Sequence, residues 1–454
     1  MIRIRTPENQ TGKPRYRGFT RMSADKPGNH AMRKTQSTPG LCYMSMENTW
    51  ALGTKVKLWA MQILLSAGEA SGDTYGAQLI DALSRLAPGA RFFGMGGEKM
   101  RAAGCELLID AREVAVVGLA EVVAHLPGIY RRFRRFTAQA GERKPDAAVL
   151  IDFPDFNLRL ARKLHALDIP VYYFVSPQIW AWRSGRVKHI QKYVREMIVI
   201  FPFEQEFYRQ HGVEVTYVGH PLAHVAEPGI SREEFARQWQ LDPARQWIGL
   251  LPGSRRREVR LNLPNLLQAA ELLQSKDKSC EFVMPVASTL EREWVRQQVE
   301  AAGMGVRVCL TENSRATLKH CRAAAVASGT ATMETALAGT PFVVIYRLAA
   351  LTWMLGRPLV HLDTFAMPNL IAGRRIVTEL IQSDFTAEKV AKELAAIIPD
   401  GARRQQMLLD LAEVRERLRL PAEEHPPVER AAREILRSLA SLSSSWRMPA
   451  GQQS

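Results

Sequence analysis

From Met61 onward, short apolar runs alternate with amphipathic stretches. MQILLSA (61–67), RFFGMG (91–96), AAVLID (147–152), VYYFVS (171–176) and EMIVIF (196–201) are too short for helices. Each predicts a buried strand. The intervening segment from Asp73 to about Leu86 predicts a helix whose Gln78, Ala82 and Arg85 side faces water. Apolar strands separated by helices are the pattern of a parallel sheet covered on both faces. Pro228-Gly229 reads as a linker, and the pattern then restarts. WIGLLPGS (247–254), CEFVMP (280–285), VRVCL (306–310), AAAVAS (323–328) and PFVVIYR (341–347) form the second series. The expected class is α/β, with two Rossmann-like domains (61–228 and 229–385) facing a cleft. Residues 386–442 predict C-terminal helices packing across the domains, and 443–454 a disordered polar tail. No repeat of 20–50 residues is evident.

Composition narrows the reading. The chain has 454 residues, 46% hydrophobic and 24% charged, which fits a soluble globular protein and excludes a disordered polymer or a fibre. Its net charge of +15 is unevenly spread. Residues 1–60 carry 11 Lys/Arg against 3 Asp/Glu, so +8 sits there and +7 in the remaining 394 residues. That stretch is expected to be a disordered basic extension, either a genuine tail or sequence upstream of a start at Met61. Because the basic excess lies outside the motif-bearing body, no nucleic-acid partner is expected. The five scattered cysteines include no CxxC pair, which argues against a disulfide framework or structural zinc and suits a reducing cytoplasm. No apolar run is long enough to span a bilayer, and the N-terminus lacks the apolar core of a secretory signal.

The candidate chemistry lies at predicted strand ends. In AGEASGD (67–73), small residues let a ligand approach the backbone, and Glu69 points into the crevice where parallel sheets bind ligands. A tight turn with Asp73 as helix cap fits the same residues. In IDFPDFN (151–157), Asp152 is either the cap of a helix beginning at Pro154 or a general base in a dry cleft. SPQIWAW (176–182) carries Trp180 and Trp182, whose rings suit a sugar or lipid pocket or a domain interface. His220 in VGHPL reads as a hydrogen-bonded interior histidine. In LPGSR (251–255), Gly253 and Ser254 offer backbone donors and Arg255 a phosphate fork. In SGTATMET, Ser328, Gly329, Thr330 and Ala331 expose a helix N-terminus to diphosphate, and Glu334 can accept both ribose hydroxyls. Asn369 in PNL adds a polar amide.

Walker, GxGxxG, HExxH and Asp-x-Asp motifs are all missing. No metal and no cofactor are expected, so a bound diphosphate would be neutralised by helix ends and arginine. Val114–Phe136 is an apolar stretch closed by Arg131, Arg132, Arg134 and Arg135. It is too polar and too interrupted at Pro127-Gly128 to span a membrane. It fits a core helix followed by a solvated basic one, or an interfacial patch.

Taken in order, AGEASGD, IDFPDFN, SPQIWAW, FPFE (201–204), VGHPL, LPGSR, SGTATMET, PNLIAG (368–373) and ELIQ (379–382) closely resemble the lipid-A-disaccharide synthase family across roughly residues 61–440. The resemblance implies an inverting, metal-independent glycosyltransferase of the B-type fold. It would join the sugar of UDP-diacylglucosamine to diacylglucosamine 1-phosphate through a β(1→6) link. It places Asp152 and Glu69 at the catalytic centre, with Arg255, Glu334 and Asn369 on donor motifs. It implies a cytoplasmic enzyme peripheral to the inner membrane, and a homodimer. Phe153 departs from the family pattern, where a small residue often stands.

Overall fold

The computed structural model describes residues 61–114, 119–182, 184–347, 364–419 and 425–445. The expectations for 1–60 and for 446–454 lie outside them, whereas 443–445, expected to belong to the disordered tail, continue the last helix. The first series forms β1 (Gln62–Ala67), β2 (Arg91–Gly96), β3 (Cys105–Asp110), β4 (Ala147–Ile151), β5 (Val171–Phe174), β6 (Glu196–Val199) and β7 (Val215–Tyr217). Its helices are α1 (Ala70–Leu86), α2 (Glu98–Ala102), α3 (Leu119–Arg143), α4 (Pro154–His165), α5 (Ile179–Trp182), α6 (Val187–Tyr193) and α7 (Pro202–Gln210). The second series forms β8 (Gln246–Leu251), β9 (Cys280–Pro285), β10 (Val308–Thr311), β11 (Ala323–Ala327), β12 (Phe342–Tyr346) and β13 (Glu379–Ile381). With it come α8 (Arg232–Trp239), α9 (Arg256–Lys276), α10 (Arg292–Ala301), α11 (Ser314–His320) and α12 (Thr330–Ala338). The chain ends in α13 (Met367–Ala372), α14 (Ala387–Ile397), α15 (Ala402–Leu418) and α16 (Pro427–Ser445).

Every strand pairing is parallel, and the orders are β3-β2-β1-β4-β5-β6-β7 and β10-β9-β8-β11-β12-β13. Both are doubly wound, with the winding reversing between β1 and β4 and between β8 and β11, where such sheets bind ligands. Alternation along each strand explains why both faces are apolar. Ile63 and Leu65 enter one core with Val149, Ile151, Tyr172 and Phe174, while Leu64 enters another with Ala148, Leu150 and Tyr173. Fully burying each such Leu, Ile or Phe stabilises by roughly 1.5–3 kcal/mol. Gly94 (φ 156°) is required at the β1–β2 contact, since a Cβ there would stand 1.8 Å from the Leu65 carbonyl oxygen.

Three edge or near-edge strands, β3, β7 and β13, carry mixed polar residues and escape the apolar pattern. The helix after β1 begins at Ala70 with Glu69 as N-cap, three residues before the expected start. Ala82, expected to face water, is buried because α16 returns from the end of the chain to pack on α1, where Arg85 pairs with Glu429 at 3.8 Å. Arg195 also donates to Ser438 at 3.2 Å, and Tyr217 Oη donates to the Arg417 carbonyl. The last helix therefore belongs spatially to the first sheet.

Candidate active site

Glu69 and Asp152 follow β1 and β4, on the two sides of the first switch point. Asp152 does not cap α4, whose N-cap is Phe153 with no side-chain cap bond. Both Asp152 (φ 45°) and Phe153 (φ 49°) are left-handed, a conformation that costs a non-glycine residue about 1–2 kcal/mol. Asn157 holds this turn. It is fully buried, accepts from Ser66 Oγ at 2.6 Å, and donates through Nδ2 to the carbonyls of Ser66, Ile151 and Asp152 at 3.2, 3.2 and 2.8 Å. Tyr173 Oη donates to the same Asp152 carbonyl at 2.6 Å. Burial, and secondarily the charge of Glu69, push the Asp152 carboxyl up to about 7, against a partial opposing effect from the Phe153 N–H. A carboxyl that titrates near neutrality can both accept and release a proton.

Phe153 explains the glycine before Glu69. A Cβ on Gly68 would lie 2.3 Å from the Phe153 ring, which also packs on Phe156 at 5.9 Å between centroids. Asp73 takes a different role from the one expected of it. It is buried in the first turn of α1 and accepts from the backbone N–H groups of Gly97, Lys99 and Met100 at 2.7, 3.1 and 3.0 Å, thereby capping α2 from outside.

Across the second switch point, Gly329 (φ 140°) caps α12 without a side-chain bond, leaving the exposed first turn at Gly329 and Thr330 open to an anion. Ser328 precedes it with its N–H committed to the Ile345 carbonyl at 2.9 Å, and Ala331 is half-buried. Glu334 accepts from Ser314 Oγ at 2.8 Å, a partner that the sequence pattern does not reveal. After β8, the turn is arranged differently from the expected set of free donors. Glu258 accepts from the N–H groups of Ser254 at 2.9 Å and Arg255 at 3.3 Å, filling the space that Gly253 (φ 125°) leaves open. A nucleotide phosphate would have to displace this carboxylate to reach those donors.

The two halves meet here. Arg255 Nη2 lies 3.4 Å from Glu69 Oε1, both side chains being nearly half exposed, and Arg255 Nη1 lies 3.4 Å from Glu258. Tyr75, on α1, is buried, and that burial, followed by the carboxylate charges of Glu334 and Asp152, raises its phenol above the usual range. It sits between the two motif groups, and the sequence reading missed it because one tyrosine inside an amphipathic helix reads as core.

Asn369 is fully buried. Its Nδ2 donates to the Val377 carbonyl and to Glu379 Oε1, and its Oδ1 accepts from the N–H groups of Ile376 and Val377. Four bonds exhaust the amide, so its work is to tie α13 to β13. Trp180 faces protein rather than an open lipid surface. Its ring stands edge-on to Phe203 at 5.0 Å, and Phe203 stacks on Phe201, which contacts His220. The side chain of Trp182 lies outside the described residues. His220 is interior: Nδ1 accepts from the Leu222 N–H at 3.2 Å, and burial lowers its pKa to about 3. Glu204, from FPFE, is a buried carboxyl raised to about 8 by desolvation, although it accepts from the Phe201 N–H.

Arg131, Arg134 and Arg135 are exposed on α3 and Arg132 is half-buried, pairing with Glu113 at 2.7 Å. Pro127 lies inside this single helix rather than ending it. Residues 115–118, within the apolar part of the expected patch, lie outside the described residues. Among the described residues, no helix is long and apolar enough to cross a membrane, and no group of three His, Cys, Asp or Glu side chains could hold a metal ion.

Comparison with known proteins separates fold from family. The solved structure of UDP-GlcNAc 2-epimerase from Neisseria meningitidis, bound to UDP-GlcNAc, is similar with a TM-score of 0.54 at 12% identity, covering 84% of this chain and 100% of that one. The calicheamicin glycosyltransferase CalG4 is similar with a TM-score of 0.51 at 18% identity, covering 84% and 98%. These likenesses show the two-sheet, B-type arrangement alone. A lipid-A-disaccharide synthase from Koribacter versatilis is 56% identical over 377 residues, covering 83% of this chain and 98% of its own. The family profile described as lipid-A-disaccharide synthetase matches residues 63–430, which include both switch points and every motif around them. The chain belongs to the lipid-A-disaccharide synthase family.

Proposed function

We propose that this chain transfers the diacylglucosamine of its UDP donor to the 6-hydroxyl of diacylglucosamine 1-phosphate. The products are a β(1→6) disaccharide phosphate and UDP. The observation that carries the reading is the half-buried Asp152 carboxyl at the first switch point, raised to about 7, with Tyr75 standing under the influence of both Asp152 and Glu334 of α12. Asp152 removes the hydroxyl proton as the oxygen attacks the anomeric carbon from the face opposite UDP, which inverts that centre. Arg255 and the first turn of α12 stabilise the charge growing on the departing diphosphate, and Glu334 accepts from the ribose. Glu69 holds Arg255 in place and, through its charge, keeps the Asp152 proton affinity high.

Both substrates carry acyl chains, so the first half takes them from a membrane surface to which the protein attaches peripherally, on the cytoplasmic side. The exposed arginines of α3 support that attachment. A homodimer is the assembly that the family resemblance leads us to propose. Purified protein incubated with UDP-diacylglucosamine and diacylglucosamine 1-phosphate should yield the disaccharide phosphate by mass spectrometry, unaffected by chelator. Inversion at C2 of UDP-GlcNAc without disaccharide formation would assign the epimerase reaction instead.

A further inference from the structure

A cavity of about 350 Å³ lies between the end of β3 and the middle of α3, away from both switch points. Its polar wall consists of Arg131, Arg132, Arg135 and Gln139 from α3 and Glu113 from the turn after β3. The helix presents these residues together because 131, 135 and 139 are successive i,i+4 neighbours and 132 adjoins 135. Glu113 neutralises only Arg132; Arg131 and Arg135 form no ion pair with any described residue. Gly128 leaves room for the wall, since a Cβ there would approach Arg132 Nη1 to 3.2 Å. Three guanidiniums against one carboxylate leave an excess of two positive charges. Forked guanidinium donors match phosphate oxygens better than a point charge does. Tyr130, adjoining Arg131, is 63% exposed, an amphipathic ring suited to a membrane boundary.

The cavity cannot hold the phosphate of the reacting acceptor. Strand register sets Ile109 of its wall level with Met95, Ser66 and Leu150. It is thus three strand spacings, roughly 14 Å, to the side of the strand carrying Asp152. A hexose 1-phosphate whose 6-hydroxyl meets Asp152 is too short to reach it. We propose that this cavity binds the phosphate headgroup of an anionic phospholipid of the membrane, a lipid distinct from both substrates. The proposal rests on the reading that this half works at a membrane surface. It adds a discrete headgroup site to what would otherwise be diffuse charge attraction.

Arg134 shares the helix and the charge but does not line the cavity, which supplies a control. Binding of the full chain to phosphatidylcholine vesicles containing a minor fraction of phosphatidylglycerol would be measured for R131Q, R135Q, R134Q and Q139W. Each arginine variant loses one charge; Q139W loses none and fills the cavity. A near-surface charge contributes about fivefold to binding anionic membranes, so R134Q should weaken it by about that much. R131Q and R135Q should lose a further factor of about ten, and Q139W about tenfold on its own, with thermal melts like the parent's. Equal losses for the three arginine variants, or Q139W binding like the parent, would overturn the site. Should Q139W melt early, the arginine comparison decides alone. Competition by soluble glycerol 3-phosphate as effective as that by added phosphatidylglycerol vesicles would assign the cavity to a free phosphate ester and overturn the lipid. Disaccharide formation on detergent-dispersed substrate is measured separately and should match the parent in every variant. Its absence from the parent would refute the transferase reading and leave the binding comparison standing.

Discussion

Asp152→Asn removes a carboxyl that folding makes hard to ionise, so stability and activity should move in opposite directions. The unfolded chain ionises this group near its ordinary value of 3.8, and the folded protein only near 7. A raised folded pKa means that the contribution to stability is fully present below about pH 3.8 and is lost as pH rises through about 7. The span is about three pH units, each worth about 1.4 kcal/mol, so ionised Asp152 costs the parent at most about 4 kcal/mol at pH 8. Asparagine is isosteric and never ionises. The variant should therefore match the parent near pH 4 and exceed it at pH 8 by up to that amount, read from urea melts at both pH values. Turnover should fall about 10²–10⁴-fold, the usual contribution of a general base, with UDP affinity within a fewfold. Identical urea midpoints at pH 8 would refute the burial argument, and near-parental kcat would remove Asp152 from proton transfer.

The neighbouring groups give further tests. Glu69→Gln removes the second cause of the raised Asp152 pKa, so the acid limb of the kcat/KM profile, expected near pH 7 in the parent, should move to lower pH; an unmoved limb would separate the two carboxylates. Arg255→Ala and Glu334→Ala should each weaken UDP binding by about 10–150-fold, the value of a hydrogen bond to a charged group, and unchanged titration calorimetry for both would place the nucleotide elsewhere. Gly68→Ala drives a methyl into the Phe153 ring and should destabilise by about 1–3 kcal/mol, an effect that adding Phe153→Ala should largely relieve; additive losses in the double variant would show that the ring is not the obstacle.

Central strands were legible in the sequence because burial on both faces leaves unbroken apolar runs, as in β1, β4 and β11. The edge strands were hidden, since one side of β3, β7 or β13 needs no apolar cover. Asp152 and Glu69 could be placed because a parallel strand's end fixes where the next residue stands. What those residues touch could not be read. Asn157 holds the Asp152 turn from inside α4, a geometry without a spacing signature, whereas Glu258 takes the Arg255 and Ser254 N–H groups from the third position of α9, a capping spacing that the phosphate reading of LPGSR passed over. The partners of Asn369 were hidden for the same reason as those of Asn157. A buried amide with four backbone and side-chain bonds looks, in sequence, like a polar residue kept for a ligand. Ala82 looked exposed because the helix that covers it lies more than three hundred residues further along.

That return of α16 to the first sheet sets how the molecule can bend. Among the described residues, the first half is joined to the second after β7, and α16 follows α15 back to the first half. The His220 N–H donates to the Leu418 carbonyl at 3.4 Å, and Arg430 donates to the Val218 carbonyl, so the two passages lie side by side. A single tether would let one half swivel in any direction about the other. Two adjacent links of bonded backbone resist twisting and sliding more than a single one does. A variant that cuts these two bonds, His220 to Leu418 and Arg430 to Val218, would leave the Arg255–Glu69 pair as one of the remaining links between the halves.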